Sequence, residues 1–253
     1  MDLVFFAIAV PAVLLAGISK GGLSGLGALT VPMLALVLPP TEAAAVMLPV
    51  LCLMDLFGLW VYRRYCSVAH LRAMLPGALL GIGLGTLAFG HLDDGGVRIL
   101  IGAVAVLFSL NHWLRSAIQK RLTAQRPPSR AQGAFWSAMA GFTSFLAHAG
   151  GPPAMIYLLP QRLEKMLFAG TSVVFFAVVN YVKLIPYWWL GQLNAGSLTT
   201  ALVLSPLAPI GIWLGFWLIK RVEERMFYAV AYVLLFLSGL KLVHDGVATT
   251  ALF

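Results

Sequence analysis

Apolar residues run along this chain in long blocks separated by short polar stretches. A helix rises 1.5 Å per residue and a bilayer core is roughly 30 Å thick, so a crossing needs about 20 apolar residues. Six segments meet that length: Glu42 to Tyr62, Met74 to His91, Val97 to Leu114, Met166 to Leu190, Leu198 to Ile219 and Met226 to Val243.

Two further stretches do not fit a simple crossing. Leu3 to Leu38 would be about 54 Å long as one helix and is interrupted by glycines. Gly133 to Pro160 is broken at "HAGGPP", and the part beyond the break is too short to cross alone. Orientation follows from the loops. "YRRYCSVAHLR" (Tyr62 to Arg72), "RSAIQKRLTAQRPPSR" (Arg115 to Arg130) and "KRVEER" (Lys220 to Arg225) are basic and read as cytoplasmic, whereas "HLDDGG" and "GQLNAGS" carry no Lys or Arg. With these assignments Gly133 to Pro160 starts and ends on one face, which predicts a re-entrant helical hairpin. Leu3 to Leu38 reads either as a matching hairpin or as two full crossings; either way both termini are expected outside.

The two halves resemble each other. "AGISKGGLSGLGALTVPML" from Ala16 matches "AGFTSFLAHAGGPPAMIYL" from Ala140, and Pro76, Gly81 and Gly85 match Pro206, Gly211 and Gly215. Equivalent loops have opposite charge character, so the repeats are read as inverted in the membrane. The predicted fold is an all-α polytopic membrane protein of two inverted-topology repeats. Each is a broken or re-entrant hairpin plus three transmembrane helices, giving roughly 8 to 10 helical segments. Residues 1–120 form the first repeat, 121–132 a basic cytoplasmic linker and 133–253 the second, in one transmembrane domain. The glycine faces Gly77–Gly81–Gly85 and Gly211–Gly215 predict close helix packing.

Composition agrees. The chain of 253 residues is 60% hydrophobic and 10% charged, with a mean hydropathy of +0.92, whereas soluble domains are about a quarter charged. The net charge of +8 sits in the loop clusters, as the positive-inside rule would place it, and does not point to nucleic acid. Cys52 and Cys66 read as free thiols. The apolar N-terminus has Asp2 where a signal peptide has basic residues, so it reads as part of the mature protein.

No hydrolase, zinc-protease or nucleotide-binding motif is present, so neither an enzyme nor an ATP-driven pump is expected, and no cofactor or metal. What remains is a short set of polar groups at membrane depth: Lys20, Asp55, His148, Asn180 and Lys183. Ionised groups there line a water-filled cavity or are paired. Lys20 stands beside Gly21 and Gly22, where a helix end offers N–H groups and positive polarity to an anion; it either meets an anion, pairs, or snorkels to the interface. "HAGGPPA" repeats the device with Gly150 and Gly151. There His148 either donates to an anion, titrates, or is a neutral ring bonded to a carbonyl. Asp55 is expected to be paired, with Lys20 the nearest candidate in its half, or protonated. Lys183 precedes Tyr187, Trp188 and Trp189, which read as an outer interface belt, so Lys183 is expected to snorkel while Asn180 contacts substrate. The candidate substrate-binding set is Lys20, Gly21, Gly22, Ser24, Gly25, His148, Gly150, Gly151 and Asn180. Asp55, Lys20 and His148 are the candidates for ion pairing or coupling.

The motifs "GISKGGLSGLGALTVP" and "AGFTSFLAHAGGPPAMIYLLP", the latter followed by "LFAGTSVVFFAVVNYVKLIPY", resemble those of the TauE/SafE family of sulfite and organosulfonate exporters, also called the toluene-sulfonate uptake permease group. Many members read AGxxSGxxGxGG in the first motif; this chain carries Lys20 there, has Leu26 and Ala28 in place of glycines, and resembles the subgroup with an aspartate in the next span, here Asp55. The resemblance implies transport of a sulfur-containing anion such as sulfite or sulfoacetate, in the export direction, across a bacterial inner membrane. A passive anion channel, and a membrane-embedded sulfur-transfer protein using Cys52 or His148, are the alternatives. The expected partners are the anion and the lipid bilayer; coupling to protons or to the membrane potential, and a homodimer, are compatible with the sequence.

Overall fold

The structure, a computed structural model, describes residues 2–21, 26–89, 94–118, 129–158, 161, 163–219, 233, 236–237 and 239–248. Every regular element among them is helical. In chain order these are α1 (Leu3–Lys20), a 3₁₀ turn (Leu26–Leu29), α2 (Thr30–Leu34), α3 (Pro40–Tyr62), α4 (Val68–Phe89), α5 (Asp94–Ile118), α6 (Arg130–Ala147), α7 (Gly151–Leu158), α8 (Lys165–Trp189), α9 (Ala195–Leu204) and α10 (Leu207–Ile219). Residues 239–248 are helical again. By length and composition α1, α3, α4 and α8 can each cross a membrane, and the bent pair α9–α10 passes the same test when its two helices are taken together as one span. The chain is an all-helical polytopic membrane protein.

The two interrupted stretches both fold back. After α1 the chain turns at Gly21, and the 3₁₀ turn and α2 lie along the helix just left. The Thr30 hydroxyl donates to the Ala12 carbonyl at 3.5 Å. α6 and α7 form the second hairpin: Gly133 faces the ring of Tyr157, and Gly150 faces Ala140 and Ser144. The returning arms α2 and α7 have 5 and 8 residues, far short of a bilayer's thickness.

Boundaries differ from expectation in two places. α4 begins at Val68, so the loop after Tyr62 is shorter than the Tyr62 to Arg72 stretch read from its charges. The predicted crossing Leu198 to Ile219 is bent by 48° between α9 and α10. Pro206 has no N–H for the carbonyl of Leu202, four residues back. That carbonyl is served instead by the Ser205 hydroxyl at 2.7 Å and the Ser205 N–H at 3.3 Å. The loops "HLDDGG" and "KRVEER", the linker and most of Met226 to Val243 lie largely or wholly outside the described residues.

α3 forms the centre, with nearly all of Ala43 to Met54 buried, and α8 packs along it. Around that pair α4 lies against α6, and α10 against α1. Both contacts are made backbone to backbone through glycine. A Cβ on Gly77 or Gly81 would stand 2.0 Å from the carbonyl oxygens of Ala134 and Ala138 on α6. On the other side a Cβ on Gly17 would stand 2.7 Å from the backbone of Gly211, and one on Gly211 3.0 Å from the backbone of Gly17. Small residues allow this approach where lipid supplies no hydrophobic drive for helices to associate. The glycine faces of α4 and α10 are therefore packing surfaces, each turned to a different helix.

Candidate functional site

Between the two hairpins lies a cavity of about 80 Å³. Ala16, Ser19, Lys20 and Gly27 line it from the first hairpin, and Ser144, His148, Gly151 and Met155 from the second. α8 closes it with Ala169, Ser172, Val173, Phe176 and Asn180, and α3 adds Leu51. Of the sequence-predicted residues Lys20, His148, Gly151 and Asn180 meet here. Gly21 and Gly150 lie beside the cavity in packing roles, Gly21 against α10 and Gly150 against α6. Gly22, Ser24 and Gly25 lie outside the described residues.

Lys20, the last residue of α1, forms an ion pair with Asp55. The Asp55 side chain is 1% exposed and that of Lys20 15%. The second carboxylate oxygen accepts from Asn180 Nδ2 at 2.7 Å, so α1, α3 and α8 are tied at one point. Asp55 is thus fully occupied by a cation and an amide, the condition under which a carboxylate tolerates burial.

The second hairpin turns on His148, the C-cap of α6, with φ 50° and ψ 24°. Among the described residues it is the one non-glycine at positive φ. Histidine enters that region more readily than most residues, though at a cost. Hydrogen bonds hold it there: its N–H donates to the Ser144 carbonyl at 3.0 Å, and Nε2 lies 2.8 Å from the carbonyl of Ala44 on α3. A carbonyl only accepts, so Nε2 carries the ring proton and Nδ1 is the acceptor. Nδ1 receives Lys183 Nζ at 2.7 Å. The ring of Tyr187 stacks on His148 with centroids 6.2 Å apart, and its hydroxyl donates to the Phe145 carbonyl at 2.6 Å.

Lys183 overturns the expectation that it snorkels. It is 0% exposed, and Nζ donates to the Ser144 carbonyl and to Ser144 Oγ, each at 2.9 Å, as well as to His148. Tyr187 likewise is not part of an interface belt, at 1% exposed, whereas Trp188 and Trp189 are 70% and 79% exposed. The signal for this was helical spacing: Ser172, Phe176, Asn180, Lys183 and Tyr187 recur at intervals of three and four and share one inward face of α8. Ser19, Ser144 and Ser172 were also missed, since a serine in an apolar run carries no mark of its own. Ser172 Oγ is buried and without a hydrogen-bond partner, at the wall of the cavity.

The lining offers hydroxyls, an amide and a lysine from elements that converge on helix breaks. Among the described residues no three His, Cys, Asp or Glu side chains are grouped as metal ligands. Cys52 and Cys66 are free thiols. No curated protein and no solved structure matches the chain. A protein family described as "Sulfite exporter TauE/SafE" does match, over residues 9–242, which takes in both hairpins and the helices around the cavity. The protein therefore belongs to the sulfite exporter TauE/SafE family of membrane transporters.

Proposed function

We propose that the protein is a secondary transporter that exports small sulfur-containing anions, sulfite or organosulfonates such as sulfoacetate, across a bacterial inner membrane. The observation that carries this reading is the cavity at the junction of two helix breaks, one per half of the chain, lined by polar side chains from both. Substrate sites of inverted-repeat transporters lie where broken helices meet near the bilayer midplane. The size suits a compact ion: a few waters fill such a volume.

The packing supports two inverted repeats, 1–120 and 133–253. Aligning Ala16 with Ala140 and Gly81 with Gly211 makes the α1–α10 contact the counterpart of the α6–α4 contact. α3 and α8, counterparts by order, pack on each other. On this reading one repeat rocks against the other and exposes the cavity to each side in turn.

A ligand that prefers the folded protein raises its apparent stability by mass action, by about 2.7 kcal/mol at a hundredfold excess over Kd. In a thermal-shift panel of sulfite, thiosulfate, sulfoacetate, taurine and sulfate on purified protein, sulfite or a sulfonate is expected to raise the midpoint by about 5 °C. A panel in which none of the five moves the midpoint contradicts the reading.

A further inference from the structure

The buried charges around the cavity are two cations and one carboxylate. Asp55 is taken by Lys20 on one oxygen and by Asn180 on the other, at 2.7 Å. Lys183 is wholly buried, and its three N–H groups meet three neutral acceptors: the Ser144 carbonyl, Ser144 Oγ and His148 Nδ1. Among the described residues no carboxylate pairs with it. The other ionisable groups around it are Lys20 on α1, Cys52 and Asp55 on α3, His148 at the end of α6 and Tyr187 on its own helix; none is a second carboxylate. Neutral acceptors satisfy an ammonium's hydrogen bonds but leave its charge uncompensated in a medium of low dielectric. With Lys183 protonated, the side chains of the site sum to one positive charge, that of Lys183, and an anion in the cavity is what compensates it.

Lys183 does not itself line the cavity, but Ser144 and His148 do. His148 has no donor to spare, since Nε2–H is bound to the Ala44 carbonyl and Nδ1 accepts from Lys183. Ser144 differs. Its Oγ accepts from Lys183, which leaves its own O–H to donate, and a hydroxyl polarised by an ammonium is a stronger donor. Ser172 Oγ, buried and unpartnered on α8, offers a second hydroxyl to the same space.

The two halves place this contact in corresponding positions. The alignment of Ala16 with Ala140 sets Lys20 opposite Ser144, each on the outgoing arm of its hairpin. Lys20 reaches Asp55 on α3, and Ser144 reaches Lys183 on α8. The same hairpin-to-helix contact is thus self-neutralised in the first half and left positive in the second.

Resting on the transport site proposed above, we infer that Lys183 is the residue that sets the charge of the substrate. Acting through the Ser144 hydroxyl, it makes the cavity select an oxyanion over a neutral ligand of the same shape, while the Lys20–Asp55 pair ties the helices together and contributes no net charge. Lys183 is a positioning and charge-selecting residue one hydroxyl removed from the ligand.

The test compares methanesulfonate with dimethyl sulfone, which has nearly the same shape and no charge, on purified full-length protein. Wild type is expected to prefer methanesulfonate. In Lys183→Met methanesulfonate binding falls by about 30-fold or more and that preference disappears, whereas loss of a purely structural lysine would weaken both probes alike. Ser144→Ala leaves the ammonium in place and lowers methanesulfonate affinity by about tenfold; it decides the matter if Lys183→Met does not fold. The inference is overturned if Lys183→Met retains the preference for the charged probe, or if Ser144→Ala binds methanesulfonate as wild type does. Wild type that binds no sulfur anion at all overturns the transport site itself.

Discussion

Asp55 is the residue on which three helices depend. It is buried, and its two oxygens hold Lys20 at the end of α1 and Asn180 on α8. Removing one member of a buried ion pair is more damaging than removing both, because the survivor keeps its charge without a partner. Asp55→Leu is therefore expected to destabilise the protein by about 3 kcal/mol, read as a drop of several degrees in the unfolding midpoint in detergent. Adding Lys20→Met should recover most of that loss; equal midpoints for the single and double variants would show that the pair does not bear on stability. The expectation of a paired Asp55 was available from the sequence, because a carboxylate in mid-span has few other options. Lys183 was not found that way, since the adjacent tryptophans drew it toward the interface. Trp188 and Trp189 do face outward, because successive residues on a helix point about 100° apart, which turns both away from the face that Lys183 and Tyr187 share.

Elements depend on contacts that the chain can only hint at. The glycine spacing of α4 predicts close packing, and the structure supplies its object: α6, met backbone to backbone at Gly77 and Gly81. Gly81→Ala would put a methyl group 2.0 Å from the Ala138 carbonyl, so the helices must separate and folded protein should be largely lost. Gly83, two residues on, has nothing within 4 Å of its would-be Cβ, so Gly83→Ala is expected to be neutral or to gain up to about 1 kcal/mol. The yield of monodisperse protein and its unfolding midpoint separate the two; similar behaviour of both variants would mean that the close approach is absent. The hairpins were legible because their lengths are wrong for a crossing. The bend at Pro206 was not, because Pro76 stands at the matching position inside the single helix α4. The outcome differs where Ser205 can take up the carbonyl left free and where the long contact with α6 holds α4 together as one element.

At the scale of the molecule, the polytopic helical class followed from apolar length and low charge, and the family match over residues 9–242 agrees with the motifs at both hairpins. The cavity lies where the two glycine-rich motifs drew attention, since Lys20 and Gly27 of the first and His148 and Gly151 of the second line it. Its electrostatics were not, because which lysine is neutralised depends on contacts between residues 35 and 39 positions apart, Lys20 with Asp55 and Lys183 with Ser144. The central claim is that this cavity carries a sulfur anion across the membrane. Flux from proteoliposomes loaded with sulfite tests it most directly: the account predicts saturable efflux down an imposed gradient, well above that of protein-free vesicles. No efflux of sulfite, thiosulfate or any sulfonate, or efflux that rises linearly without saturation, would contradict it.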